Sequence, residues 1–175
     1  QINGSNGVSY QDAVDELIDN GIDENATYIE LKFVNNKLSK IYNDGRPMTK
    51  KDREGSLTLD GRSKSSRKDK KNIKGRFGAG GANARSRLAG QGKEIITSKD
   101  ETNIYQCVID LNKLADPSIS PQQCWTSDHT YRPHWVKYND RDNMYVDGVT
   151  KEYIGDNLLQ EFDLHNMMRH LIMKY

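Results

Sequence analysis

Residues 9–24, SYQDAVDELIDNGIDE, decide the fold, because they combine an apolar stripe with an acidic one at helical spacing. Ser9 followed three residues later by Asp12 is the pattern of a helix N-terminal capping box. The apolar residues that recur with this period are Val14, Leu17, Ile18 and Ile22. This spacing predicts an amphipathic helix over 9–24 that buries one face in a core.

The opposite face of this helix is acidic and carries Glu16 and Asn20 one turn apart. From Gln1 to Leu31 there is no Lys or Arg, so no cation of the helix relieves the like charges spaced four residues apart. One interpretation is a solvated acidic face. The other is a ligand site, in which Glu16 polarises a water molecule and the Asn20 amide oxygen binds Mg²⁺.

The rest of the chain alternates between helical and extended patterns. Strands are predicted at 27–33, 37–42, 94–98 and 103–110, helices at 82–88 and 158–174, an irregular stretch at 112–130, and a hairpin that pairs 131–138 with 144–154. Asn35-Asn36 is a good turn between the first two strands. The order of elements predicts an α+β two-layer sandwich with a mostly antiparallel mixed sheet, in one domain over residues 1–175.

The segment after the second predicted strand, Ile41 to Met48, contains Asn43-Asp44-Gly45. These residue types are typical of a simple β-turn. They also fit a ligand site, because a polar side chain at a strand end reaches a flat heterocycle and glycine lets the backbone approach it closely.

Residues 74–84 read KGRFGAGGANA and place four glycines before a predicted helix. Backbone N–H groups of such a stretch, together with the start of the helix, form an anion cradle. The alternative is a flexible linker, although Arg76, Phe77 and the alanine-rich helix argue against it. The pattern is neither a Walker A loop nor a dinucleotide fingerprint.

The charge balance excludes a uniformly basic nucleic-acid binder, because 26 Lys and Arg face 25 Asp and Glu. The bases are instead concentrated at 62–76, which holds eight of them against one acid. No run of apolar residues is long enough for a membrane span, and no secretion signal is present. With only two cysteines, the chain is expected to be intracellular, cytoplasmic or nuclear.

Taken together, the three motifs in this order resemble the Bergerat fold of the GHKL ATPase superfamily, which includes DNA gyrase B and type II topoisomerases, heat-shock chaperones, MutL, histidine kinases and the microrchidia (MORC) proteins. The first motif, Glu16 to Asp23, matches the family's Glu-x-x-x-Asn helix. The resemblance implies that Glu16 is the general base, that Asn20 coordinates Mg²⁺, and that Asp19 and Asp23 support the site.

The second and third motifs carry the implied nucleotide contacts. Most members have an adenine-binding Asp at the position of Asn43, and an Asn at this position resembles eukaryotic-type type II topoisomerases. Pro47 replaces the second Gly of the family's motif. The residues that the resemblance assigns to ATP are Asn20, Asp23, Asn43, Asp44, Gly45, Met48, Lys74, Gly75, Arg76, Phe77, Gly78, Ala79, Gly80, Gly81 and Thr150. Thr150, within Gly148-Val149-Thr150, is the candidate for the family's late Gly-Thr.

The segment 49–74 is then the ATP lid, with residues 131–175 as the C-terminal strands and helix. The basic residues of the lid have three explanations: they keep the segment soluble, they bind the triphosphate of ATP, or they contact DNA. The resemblance implies a slow, Mg²⁺-dependent ATPase that homodimerises on ATP, in a DNA-topology or chromatin-type clamp of topoisomerase or MORC-like kind. The alternatives are a chaperone-type ATPase, a non-catalytic nucleotide-binding or interaction module, and a nucleotide-independent DNA binder.

Overall fold

The structure, a computed structural model, describes residues 8–49, 52, 80–99, 104–119, 125–128, 148–155 and 164–175. Its elements in chain order are α1 (Tyr10–Asp23), β1 (Ile29–Val34), β2 (Lys37–Asn43), α2 (Gly80–Ala89), β3 (Lys93–Lys99), β4 (Ile104–Asp110), α3 (Leu111–Leu114), β5 (Trp125–Asp128), β6 (Gly148–Ile154) and α4 (Leu164–Lys174). These elements form an α+β fold, as the sequence predicts.

The six described strands form one sheet in the order β1-β2-β6-β3-β4-β5, and every pairing between them is antiparallel. The last strand, β6, therefore lies in the middle of the sheet. Over Val149 to Glu152 its two edges pair with β2 and β3. The predicted hairpin between 144–154 and 131–138 is wrong for this strand, because both edges are occupied; residues 131–138 themselves lie outside the described residues.

The signals that open α1 and connect β1 to β2 act as predicted. The Ser9 hydroxyl accepts a hydrogen bond from the Asp12 amide at 3.0 Å, and the Asp12 carboxylate accepts one from the Ser9 amide at 3.2 Å. Asn35 and Asn36 both have positive φ, 50° and 58°, which a two-residue hairpin turn of the primed type requires. The capping box and the Asn-Asn turn are confirmed.

The core lies between one face of the sheet and the helices α1 and α2. Its largest fully buried side chains include Leu38, Leu88, Ile96 and Ile109, and Val14 of α1 is also fully buried. An irregularity in the β1–β2 register allows Leu38 and Ile41, three residues apart, both to enter this core. Burial of these side chains supplies most of the driving force that holds the two layers together.

Two short elements occupy the stretch that the sequence predicts as irregular, 112–130. Asp110 is the N-cap of helix α3, and its carboxylate accepts hydrogen bonds from the amides of Asn112 and Lys113 at 3.1 and 3.2 Å. Strand β5 extends the sheet beyond β4. Both are four residues long, too short for a periodic pattern to reveal them.

The last helix packs across α1. Met167 is buried and Leu171 packs against the core. In the last turn, Lys174 Nζ lies 2.8 Å from Asp15 Oδ2 and 3.7 Å from Asp19 Oδ2. The cation that α1 lacks in its own sequence is therefore supplied from the other end of the chain.

Two predicted segments are only partly described. Of the segment 49–74, only Thr49 and Asp52 are described, and helix α4 is described from Leu164. No described helix combines the length and the apolar character that a membrane crossing needs.

Candidate functional site

Helix α1 brings Glu16 and Asn20 onto one face, because residues four apart lie above one another in an α-helix. The Asn20 side-chain amide donates a hydrogen bond to Glu16 Oε1 at 3.2 Å, in a partly buried position. This bond restrains the Glu16 carboxylate and fixes which end of the Asn20 amide faces it. The two side chains form one polar unit.

Gly80, the first residue of α2, lies against that unit. A Cβ built on Gly80 would be 2.4 Å from Glu16 Cδ and Oε1, and 2.6 Å from Oε2. The carboxylate therefore touches the backbone at the start of a helix, where N–H groups lack intrahelical partners and the dipole is positive. The first and third motifs meet here across 64 positions of sequence.

Asn43, at the end of β2, also lies beside α1. A Cβ built on Gly21 would be 3.4 Å from Asn43 Cβ, so α1 and β2 approach closely next to Asn20. The Asn43 side-chain oxygen accepts a hydrogen bond from the Gly45 amide at 3.1 Å. Gly21 is a residue that the sequence analysis did not assign, and its place one position after Asn20 is the only sequence signal for it.

Asp44 is hydrogen-bonded by the two residues that directly precede β1. Its carboxylate accepts hydrogen bonds from the Thr27 amide at 2.7 Å, the Thr27 hydroxyl at 2.6 Å and the Tyr28 amide at 2.8 Å. Partial desolvation acts to raise the pKa of Asp44, but these hydrogen bonds lower it, and the net shift is downward. The described contacts of Asp44 anchor the turn, and its expected contact with a nucleotide stays a prediction.

The next residues of the second motif are also held in place. A Cβ on Gly45 would meet the Glu24 carbonyl oxygen at 3.0 Å, so the turn packs closely on the end of α1. The Met48 amide donates to Ser98 Oγ at 2.8 Å, and this hydroxyl donates back to the Met48 carbonyl at 3.2 Å. Ser98 of β3 thus ties the segment after Gly45 to the sheet.

Thr150 lies on β6, between β2 and β3. In the register of the sheet Asn43 pairs with Val149, whereas Thr150 pairs with Tyr42 and Thr97. Because successive side chains of a strand point to opposite faces, Thr150 lies on the face away from Asn43. The Thr150 side chain therefore does not lie on the same face of the sheet as Asn43, and its expected contact with a nucleotide stays a prediction.

The remaining predicted residues divide into two groups. Asp23 ends α1 and has one fully buried carboxylate oxygen, and a Cβ on Gly81 meets no described atom within 4 Å. Outside the described residues lie Lys74, Gly75, Arg76, Phe77, Gly78 and Ala79. Within the described part of the chain no three His, Cys, Asp or Glu side chains cluster as a metal site.

Comparison with known proteins gives this arrangement a family. The family described as histidine kinase-, DNA gyrase B-, and HSP90-like ATPase matches residues 8–133, which contain all the motifs that meet at Glu16. The chain belongs to this family. It is therefore a GHKL-type ATPase domain, and membership implies ATP binding. Among curated proteins, no sequence matches it significantly.

A solved ATPase domain has a similar fold. The chain is similar to the 43K ATPase domain of Thermus thermophilus gyrase B, solved in complex with an aminocoumarin, with a TM-score of 0.56, 16% identity and coverage of 96% of this chain and 40% of that one. It also matches the N-terminal domain of a DNA repair protein, with a TM-score of 0.45, 16% identity and coverage of 93% and 39%. The GHKL chain thus spans about two fifths of these two solved chains.

Proposed function

We propose that this GHKL domain binds ATP with Mg²⁺ and hydrolyses it, with Glu16 as the general base. The observation that carries the proposal is the contact between the Glu16 carboxylate and the Gly80 backbone. A carboxylate placed where backbone N–H groups also converge can orient and deprotonate a water molecule beside a phosphate whose developing charge those N–H groups stabilise.

The donor set at Glu16 and Asn20 fits a magnesium ion. Mg²⁺ prefers oxygen ligands and is commonly held by one or two protein oxygens together with substrate phosphates. Asn20 would hold it through its amide oxygen, because its nitrogen donates to Glu16. When bound, the ion neutralises phosphate charge. Asn20 then holds the cation without adding a negative charge to an already acidic helix.

The nucleotide would span the two ends of this site. Asn43 lies beside α1 and would recognise adenine through its amide, while the backbone from Gly75 to Gly81 would bind the phosphates. Lys74 and Arg76 would add positive charge next to that backbone, and Gly45 and Met48 would line the base. We assign Asp44 to the support of Asn43 instead, since its carboxylate is held by Thr27 and Tyr28.

The biological setting that we propose is an ATP-driven clamp of the DNA-topology or chromatin type, in which residues 1–175 act as one ATPase module. The fold match to a gyrase B ATPase domain and the amide at Asn43 support this setting. Nucleotide-driven homodimerisation and DNA contact through the basic segment 62–76 belong to the same proposal. The second candidate, a nucleotide-binding module without catalysis, is favoured by Pro47, which departs from the family's second motif.

The test measures Mg²⁺-dependent ATP hydrolysis and calorimetric ATP binding for the wild type, Glu16→Gln and Glu30→Gln. Glutamine retains the acceptor for Asn20 but cannot deprotonate water, so we expect binding to persist and turnover to fall by about a hundredfold or more. Glu30→Gln is the matched control, because it makes the same chemical change on β1 instead of α1. Glu30 pairs with Tyr42 in the sheet, and its carboxylate accepts a hydrogen bond from the Tyr28 hydroxyl.

Equal turnover by the wild type and Glu16→Gln, with binding retained, would favour the non-catalytic module. An absence of ATP binding by the wild type in the presence of Mg²⁺ would overturn both candidates. Steeply salt-dependent DNA affinity that is indifferent to ATP would favour the nucleotide-independent DNA binder.

A further inference from the structure

A buried charged network lies directly beneath α2. Arg85 Nε donates to Glu94 Oε2 at 2.5 Å, and the Tyr153 hydroxyl donates to Glu94 Oε1 at 3.1 Å. Arg85 is 2% exposed and Glu94 is completely buried. Both oxygens of one carboxylate are therefore used to join α2 to the two central strands, β3 and β6.

Arg85 and Glu94 form a buried ion pair. Burial acts to raise the pKa of Glu94, but the adjacent Arg85 and Lys151 cations lower it, as do the hydrogen bonds from Arg85 and Tyr153, and the net shift is downward. The pKa of Tyr153 shifts the other way: burial and the neighbouring Glu94 raise it well above its usual value, so the Tyr153 hydroxyl keeps its proton and remains a donor. The bonds are thus charge-assisted and directional.

The rest of α2 provides little else that could fix its position along the sheet. Its sequence, GGANARSRLA, buries only Ala84, Leu88 and Ala89 besides Arg85. Ala84 and Ala89 are small, so Leu88 is the one large apolar side chain that α2 buries. Apolar contacts are not directional, so they fix the position of a helix less sharply than hydrogen bonds do. An ion pair with defined geometry resists such a shift, because any displacement leaves buried charges unpaired.

Arg85 lies five residues after Gly80, and a rigid helix transmits its position over that distance of about 7.5 Å. We propose that Arg85, Glu94 and Tyr153 are positioning residues that hold the start of α2 at the register where the Gly80 backbone meets Glu16. This inference rests on the proposed function for its effect on hydrolysis, but the placement of Gly80 is a property of the protein without nucleotide.

Loss of the network would affect catalysis because it would allow α2 to move relative to Glu16. Displacement of α2 changes the distance between the Glu16 carboxylate and the backbone that would stabilise the transition state, and a misplacement of 1 Å can lower a rate by about a hundredfold. Ground-state binding of ATP draws on the whole site, so it responds much less. Loss of the network is therefore expected to lower kcat far more than it raises KM.

The experiment replaces both charges of the network, since removal of one would leave the other buried without its partner and strongly destabilise the fold. The Arg85→Met/Glu94→Leu double variant keeps the volume and removes both charges. The Thr97→Val/Gln106→Leu double variant is its matched control. It removes a buried hydrogen bond of 3.3 Å that also involves β3, on the face away from α2. Tyr153→Phe is a milder second variant that loses one hydrogen bond.

Two readouts are taken for each folded variant: the backbone amide resonance of Gly80 in ¹⁵N-glycine-labelled protein without nucleotide, and kcat and KM for ATP. We expect the Arg85/Glu94 variant to shift the Gly80 resonance and lower kcat by about tenfold to a hundredfold. Tyr153→Phe should shift both in the same direction by less, and the control should leave both unchanged.

A wild-type Gly80 resonance and kcat in the folded Arg85/Glu94 variant and in Tyr153→Phe would overturn the positioning role. If the double variant does not fold, Tyr153→Phe decides alone. If the wild type shows no hydrolysis, the proposed function fails, while the Gly80 resonance still supports or overturns the placement of α2.

Discussion

The Glu16 carboxylate occupies the space that a side chain on Gly80 would need, with Cδ and Oε1 2.4 Å from the position of its Cβ. A side chain at residue 80 would therefore displace the carboxylate, so glycine at this position preserves the contact with Glu16. The relationship joins a helix that begins at residue 10 to one that begins at residue 80, and it places an acid where the N–H groups of α2 are open to a ligand.

Gly80→Ala is expected to impair hydrolysis more than folding. The Glu16 carboxylate is the far end of a flexible side chain and can rotate away from a new methyl group, so the free energy of unfolding should change by less than about 1 kcal/mol. Rotation takes the carboxylate from its place beside α2, and ATP turnover should fall by about tenfold or more. Urea unfolding and a steady-state ATPase assay measure the two effects.

Gly81→Ala separates this contact from the general effect of alanine in a helix. Both substitutions raise helix propensity, by up to about 1 kcal/mol, but the Cβ of residue 81 meets no described atom within 4 Å. Turnover should therefore fall further in Gly80→Ala than in Gly81→Ala. Equal turnover in the two variants would show that the contact with Glu16 has no role in hydrolysis.

Asp44→Asn should destabilise the turn between β2 and the following segment. Asparagine offers one acceptor oxygen where the carboxylate offers two, so the hydrogen bonds from Thr27 and Tyr28 cannot all be kept. At neutral pH the free energy of unfolding should fall by about 1 kcal/mol, measured by urea unfolding. In a Thr27→Val background the same substitution should cost less, because one partner is already absent; an undiminished cost would rule out the Thr27 hydrogen bond as its cause.

The pH dependence of this difference has a definite sign. Because the pKa of Asp44 is lowered in the folded chain, its contribution to stability is complete above an unfolded pKa of about 4 and is lost as the pH falls through the folded value. The wild type and Asp44→Asn should therefore differ most near neutral pH and converge in acid. A difference that stays constant down to pH of about 2 would contradict the assigned hydrogen bonds.

Local signals in the sequence predicted α1 and the β1–β2 hairpin well. The capping box at Ser9 and Asp12 and the turn at Asn35-Asn36 act within a few residues, so no tertiary context was needed to recognise them. The motif at Glu16 to Asp23 likewise indicated which helix face is the candidate site. The juxtaposition of Glu16 with Gly80 was predictable only from the family resemblance, because spacing alone says nothing about contacts across 64 residues.

Non-local pairing explains what the sequence did not reveal. Strand β6 enters the centre of the sheet between β2 and β3, so its pairing depends on strands about fifty residues or more away in the sequence. In that register Thr150 pairs with Tyr42 and lies on the face opposite to Asn43. Arg85 and Glu94 are charged residues that a sequence pattern places on the surface, yet mutual pairing makes their burial tolerable.

The acidic face of α1 illustrates the same point. A solvated face and a ligand site were the two interpretations, and the structure divides the helix between two uses. Glu16 lies against Gly80 and accepts a hydrogen bond from Asn20, whereas Asp15 and Asp19 contact α4. His170 of α4 adds to this contact, with Nε2 2.8 Å from Asp15 Oδ2.

Lys174→Met should loosen α4 and make its attachment less sensitive to salt. Methionine keeps the aliphatic stem and removes the charge that lies 2.8 Å from Asp15 Oδ2. For a partly exposed pair the expected loss is about 1 kcal/mol in the free energy of unfolding at low salt, and less as salt screens the wild-type pair. Lys113→Met, at an exposed lysine of α3, is the control and should change little; an equal loss in both variants would show that the Asp15 pair is not responsible.

Tyr175 should make the attachment of α4 sensitive to alkaline pH. Its hydroxyl donates to Asp19 Oδ1 at 2.8 Å. Partial burial raises the pKa of Tyr175, Lys174 lowers it and Asp19 raises it, with a net value of about 12. Because the folded pKa exceeds the unfolded value of about 10, the stabilisation is complete below pH of about 10 and is lost as the pH rises through the folded pKa. The free energies of unfolding of the wild type and Tyr175→Phe, measured in urea, should therefore differ below pH of about 10 and converge as the pH rises through the folded pKa of about 12. Phenylalanine keeps the ring, so a difference that persists at the alkaline limit would assign the effect to packing of the ring and not to the hydrogen bond with Asp19.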